Sequence, residues 1–386
     1  MVRLGDICTQ ITDGSHNPPV SVGESSYLML SSKNIDDDSI TLNDPRYLSK
    51  DDFDTENKRT NIEPDDLLMT IVGTIGRVAI VPNELTKICV QRSVAVLKPK
   101  SDIVYNRFLM YYLQNMRPYL EQESRGVAQK GIYLKQIGNL TISLPLLTEQ
   151  RKIAAVLDKV SSLIAKRRQQ MDKLDLLIKA RFVEMFGDPV SNPYDWKLKR
   201  LLQLGDCKNG MNFHSTDAGV NIHCLGVGDF KNLSCISDTS KLPTVSLTDI
   251  PSDEYMLKDG DIVFVRSNGN KALVGRSLVV YPATTPTTFS GFCIRFRLNS
   301  DEVKADYLLR VLKTDSIRKK MAGRGANIQN LNQKILGELQ IPVPPLDLQN
   351  RFASFVEQIE KTKTTISESL EKLETLKKKL MQEYFG

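Results

Sequence analysis

No stretch of this 386-residue chain offers the roughly 18 consecutive apolar positions that a bilayer span requires. The opening run Met1-Val2-Arg3-Leu4-Gly5-Asp6 holds no apolar signal core. Histidine occurs three times (His16, His214, His223), and the six cysteines (Cys8, Cys89, Cys207, Cys224, Cys235, Cys293) form no Cys-x-x-Cys pair. His214 and His223 lie near Cys207 and Cys224, but structural zinc sites draw on two tight ligand pairs, so no metal is expected. Scattered cysteines point to reduced thiols and a cytoplasmic protein.

Catalytic motifs are equally scarce. Gly73-Thr74-Ile75-Gly76 lacks the lysine and spacing of a Walker loop. No acid-x-lysine follows closely behind Pro64-Asp65, so a nuclease triad is not visible. His16-Asn17-Pro18-Pro19-Val20 has the Asn-Pro-Pro of an amino-methyltransferase motif but not its aromatic fourth residue, and no Phe-x-Gly-x-Gly loop accompanies it; it reads as a turn. Asn192-Pro193-Tyr194 fails in the same way, and three histidines yield no Ser/His/Asp set. The chain has no identifiable catalytic centre.

What is present is ordinary globular material, 41% hydrophobic and 25% charged, with length for two to three domains. The net charge of +6 permits an anionic partner without demanding one. The dominant feature is a tandem duplication. Adding 199 to a position near residue 150 gives its counterpart: Pro145 and Pro344, Gln150 and Gln349, Ala154 and Ala353, Phe186 and Phe385.

Each copy ends in an apolar stripe with steps of four and three. The first has Ile153, Leu157, Val160, Ile164, Met171, Leu174, Ile178 and Met185, interrupted by Arg167 and Arg181. The second has Phe352, Val356, Ile359, Ile366, Leu370, Leu373, Leu380 and Tyr384, interrupted by Lys363 and Lys377. That spacing predicts long helices over 148–186 and 347–386 that pair through a coiled-coil seam. At about 36 residues and ~1.5 Å each they span ~54 Å, the length of about 16 base pairs. Val156, Leu163, Leu177, Phe355 and Leu376 fall beside the seam and are expected to dock partner helices.

Residues 1–147 and 187–346, the latter opening with a linker over 187–195, read as two mixed α/β domains. In the first, 66–72 and 77–81 predict a hairpin around the glycine turn, 88–90 and 94–97 a further strand pair, and 105–115 a helix. In the second, 261–265, 275–280 and 306–312 echo the same order, while the sequence between these landmarks differs. The first domain has an acidic insert (Asp36, Asp37, Asp38, Asp51, Asp52, Asp54); the second is rich in asparagine. A kept frame with divergent loops suits two domains reading two different ligands.

The run from Ile142-Ser143-Leu144-Pro145 through Gln150-Arg151-Lys152-Ile153-Ala154, its copy at Ile341-Pro342-Val343-Pro344 through Gln349, and the Gly73–Gly76 turn resemble the specificity subunit of type I restriction-modification enzymes, over the whole chain. The resemblance implies two target-recognition domains separated by two long antiparallel helices, each domain reading one half of a split, non-palindromic site on double-stranded DNA. It implies two adenine methyltransferase subunits on the helices, holding S-adenosylmethionine, and a nuclease-translocase subunit, using ATP and Mg, for cleavage. The chain itself would hold no cofactor and act as a non-catalytic subunit. Ser267-Asn268-Gly269-Asn270-Lys271 replaces the first domain's glycine turn, so loop roles do not copy between halves. A stand-alone tandem DNA-binding or scaffold protein is the alternative.

Base edges are read by arginine, lysine, asparagine and glutamine, and phosphates accept from cations, hydroxyls and backbone amides. The candidates in the first domain are Thr12, Ser15, Arg77, Arg92, Ser93, Arg125, Gln129, Lys130 and Tyr133. Those in the second are Asn212, Arg266, Asn268, Lys271, Arg276, Arg324, Asn327, Gln329 and Asn330. The loops 124–133 and 323–332 lead because they occupy the same place in both copies.

Overall fold

A computed structural model describes residues 1–124, 131–213, 219–230, 233–322 and 330–386, the side chains of Lys271 and Ala322 excepted. The chain divides into two compact units, Met1–Gln169 with Ser367–Gly386, and Gln170–Ile366. Each consists of one globular domain and the portions of both long helices that pack on it. No helix among the described residues is long and apolar enough to cross a membrane.

In the first unit a four-stranded antiparallel sheet runs in the order Cys8–Asp13, Val94–Pro99, Leu67–Thr70, Val78–Ile80. Its central strands are apolar over Leu67–Met69 and Val94–Leu97, where both faces are covered. Side chains alternate between the faces. Leu67, Met69, Ala95 and Leu97 enter one core with Phe108, Tyr112, Ile153 and Leu157. Leu68, Val94 and Val96 enter another with Leu30, Ile35 and Val90. The second unit repeats the device: Ile262, Phe264, Ile294 and Phe296 face one core, Val263, Val265, Leu278 and Cys293 the other. Its five-stranded sheet runs Gly205–Asn209, Cys293–Leu298, Asp261–Val265, Ser277–Val280, Cys235–Ile236.

One expected pairing is absent. Ile88–Val90 and Val94–Pro99 are both strands, but they belong to different sheets: Ile88–Val90 runs parallel to Leu28–Leu30, whereas Val94–Pro99 pairs with Cys8–Asp13 and Leu67–Thr70. The three residues between them look like a hairpin loop and instead carry the chain from one sheet to the next. The glycine turn does close a hairpin, with Gly73 and Gly76 at φ +82° and +80°, a region that favours glycine.

The long helices are Leu147–Phe186 and Leu346–Phe385, 40 residues each. Both are anchored alike. Gln150, fully buried, accepts from the Tyr105 amide (2.8 Å) and donates to the Ile103 and Pro145 carbonyls (3.1 and 2.9 Å). Gln349 accepts from the Lys304 amide (2.9 Å) and donates to Glu302 and Pro344 (both 2.9 Å), the same positions displaced by 199.

In the first unit the start of one helix meets the end of the other, antiparallel, and Arg168 pairs with Glu374 at 2.7 Å. In the second unit Lys363, one of the expected polar interruptions, pairs with Asp175 at 2.8 Å. The apolar stripe serves more than a helix–helix seam. Ile153, Leu157 and Met381 are part of the first domain's core, where Phe108 meets Phe385 at 5.1 Å. Ile178, Phe182, Phe186, Phe352 and Val356 are part of the second's.

Candidate nucleic-acid interface

In the first domain four chain segments converge at one sheet end. A Cβ on Gly14 would lie 1.8 Å from the Val90 carbonyl oxygen, so only glycine lets the chain leave the Cys8–Asp13 strand this close to the 90–94 link. Ser15 then donates its amide to Val90 and accepts from the Arg92 amide, both at 2.9 Å. Ser93 accepts from the Ile71 amide through its carbonyl (2.9 Å) and from the Ser32 amide through its hydroxyl (3.1 Å). Val72 bridges to Gly131, and Ile132 donates to the Ile71 carbonyl at 2.9 Å. Ser15, Arg92, Ser93 and the exposed Tyr133 thus stand on converging segments, with Ser32 bonded to Ser93.

The second domain builds the same frame. A Cβ on Gly210 would lie 2.1 Å from the Ser290 carbonyl, Met211 donates to Phe289 at 3.1 Å, and Arg266 donates its amide to Phe292 at 2.7 Å. Ser267 bridges to Asn330, and Leu331 donates to the Arg266 carbonyl at 2.8 Å. Asn212, Arg266, Asn268 and Asn330 therefore gather around an exposed Phe292. Asn268 turns its carbonyl oxygen onto the Asn270 amide at 2.7 Å, fixing the loop.

Other expected residues have different surroundings. Thr12 is buried within the strand that continues through Asp13, and its hydroxyl accepts from the Arg59 guanidinium at 3.3 Å. Arg77 is held by Asp36 at 2.8 Å, and Arg276 lines a cavity with Lys313 and Arg318. Arg125, Gln129, Lys130, Arg324, Asn327 and Gln329 lie outside the described residues, as does the Lys271 side chain. The composition-based reading missed Phe292, an apolar residue in a set chosen for polarity. It also missed Ser32, which no local signal ties to residues 91–93.

On the helices Val156, Leu163, Leu177 and Leu376 are exposed, together with Leu176 and Val183. Phe355 is different: it packs partly buried against the second domain's core. The thiols of Cys8, Cys89, Cys207 and Cys224 are all pushed up to about 12 by burial, which makes them poor nucleophiles.

Against this geometry, the family described as Type I restriction modification DNA specificity domain matches residues 2–174 and again 193–377. The specificity subunit of the type I restriction enzyme MjaVIII from Methanocaldococcus jannaschii is 23% identical over 350 residues, 84% of this chain and 79% of that protein. That of the type I restriction enzyme EcoBI from Escherichia coli is 36% identical over 121 residues, 31% of this chain and 25% of that protein. Among solved structures, the S subunit of the type I restriction-modification system from M. genitalium superposes with a TM-score of 0.55 at 14% identity, over 100% of this chain and 95% of that one. A chain from work on complex assembly and conformational transition of the type I R-M system gives 0.56 at 18% identity, covering 100% and 96%. At such identities the superpositions bear on the fold alone.

Proposed function

Because the chain belongs to the type I restriction-modification specificity-subunit family, matched in both of its halves, we propose that each globular domain reads one half of a split, non-palindromic site on double-stranded DNA. The observation that carries this reading is the pair of strand-end clusters. Their hydrogen-bond frames agree bond for bond, while the side chains they display do not: Ser15, Gln91, Arg92 and Ser93 in one, Met211, Ser290, Gly291 and Phe292 in the other. Arginine and glutamine suit guanine and adenine edges, whereas an exposed phenylalanine suits a thymine methyl or an unstacked step.

The helices are then the mount for two adenine methyltransferase subunits, through Val156, Leu163, Leu177 and Leu376. S-adenosylmethionine belongs to those subunits, and ATP and Mg to a nuclease-translocase that joins for cleavage. This chain contributes recognition and no chemical step.

The test is to express the chain with a partner methyltransferase and map methylated adenines by single-molecule sequencing. The expected result is one split motif with a fixed gap, in which Arg92→Ala relaxes only one half and Phe292→Ala only the other. A motif whose two halves change together under either substitution would refute independent reading. Absence of methylation from a bound, otherwise active partner would favour a stand-alone DNA-binding protein.

A further inference from the structure

The two domains differ at one place where their frames coincide. In the first, the hairpin Ile35–Asp36 and Ser39–Ile40 carries three consecutive acids onto three arginines. Asp36 pairs with Arg77 at 2.8 Å, Asp37 with Arg117, and Asp38 with Arg107 at 3.2 Å. Arg117 also donates to the Gly76 carbonyl at 2.9 Å.

The second domain has the same scaffold leading into this place. Leu30 accepts from the Gln91 amide (2.9 Å) and Leu225 from the Ser290 amide (3.0 Å). Asn34 caps its turn by accepting from the Ser31 amide (3.0 Å), and Asp229 by accepting from the Gly226 amide (2.8 Å). Carrying that register forward sets Asp36-Asp37-Asp38 against Lys231-Asn232-Leu233 in sequence. The acids are gone. A cavity of about 350 Å³ is lined by Phe230, Leu233, Arg276, Ser277, Lys313 and Arg318, with no carboxylate among them.

Lys313 and Arg318 donate to neutral oxygens. Lys313 donates to the Leu233 carbonyl (3.1 Å) and the Ser234 hydroxyl (2.7 Å), and Arg318 to the Val274 carbonyl (3.2 Å). Ser277 is 2% exposed, and its hydroxyl has no hydrogen-bond partner among the described residues. A buried hydroxyl left unmade is costly. Burial and the neighbouring Arg310 also press the Lys313 ammonium down to about 8, the direction that a bound anion would reverse.

We propose that this cavity is an oxyanion site for one phosphate group. Guanidinium, ammonium and hydroxyl donors around a cavity this size suit a phosphate and a few waters of ~30 Å³ each. The phosphate could come from the DNA backbone or from a free phosphate; only the first source rests on the DNA-reading proposal.

The test uses the full chain, the variants Lys313→Gln and Arg318→Gln, and Leu233→Asp, which returns a carboxylate at a half-exposed position. Inorganic phosphate titrated by calorimetry should bind the parent protein, bind each cation variant at least tenfold more weakly, and leave Leu233→Asp silent. In duplex binding, a backbone phosphate as occupant predicts that each cation variant lowers affinity for all sequences alike. It also predicts that the slope of log K against log salt falls by about 0.9. Lost phosphate binding with an unchanged salt slope assigns a free phosphate instead. Parent protein that binds phosphate but no duplex would sink the DNA reading and leave this site standing. Equal phosphate binding by parent and all three variants, or no phosphate binding together with an unchanged slope, would overturn it.

Discussion

Two buried glutamines do the same work at the two helix starts. Gln150 and Gln349 each satisfy three backbone groups that would otherwise be buried without partners. Gln150→Leu preserves the volume and orphans all three; it should cost about 2–4 kcal/mol and lower the first domain's calorimetric transition by several degrees. An unchanged transition would mean that the helix start is held by packing alone. Lys313 offers a second prediction at this scale. Burial first, then repulsion from Arg310 and Lys363 against the opposing pull of Asp175 and Glu360, brings its pKa from 10.5 to about 8. The unfolded chain holds this proton up to about pH 10.5 and the folded one only to about 8, so stability rises with pH between them. Lys313→Met should therefore raise the second domain's transition by a few degrees at pH 7, with the gap closing by pH 10. A gap that stays constant over that range would rule out the lysine as its source.

At the scale of elements, the long helices were legible in the sequence because five heptads of one period leave little room for another reading. The stripe did not disclose that its ends enter domain cores, since a residue at a seam position looks the same whether it meets a helix or a sheet. The strand-end clusters were legible only in part. Arg92, Ser93 and Tyr133 stand on turns that the sequence marks, but their meeting with Ser15 and Ser32 depends on the parallel pairing of Leu28–Leu30 with Ile88–Val90, which has no local signature. The helices also carry a length prediction. Removing one heptad from each shortens them by ~10 Å, which in the proposed function should narrow the gap between half-sites by about 3 base pairs and leave both halves unchanged. Methylation mapping reads this directly; an altered half-site would refute the helices as spacers.

For the whole molecule, the informative fact is that the first unit draws on both ends of the chain, Met1–Gln169 and Ser367–Gly386. Met381 is buried in the first domain's core, with Leu380, Tyr384 and Phe385 packed against it. Deleting Ser367–Gly386 should lower the first domain's calorimetric transition by ten degrees or so and move the second's far less. Equal loss in both transitions would show that the two units melt as one.

The same arrangement bears on how the protein comes into being. A ribosome delivers the Phe108 face of the first domain 277 residues before Phe385, its ring partner, and at ~5–20 residues per second the interval is at least ten seconds or so. Throughout that interval an apolar surface stands open on the nascent polypeptide, while the second domain can complete its core around Phe182, Phe186 and Phe352. Chaperone demand should thus fall on the half that is translated first and finished last.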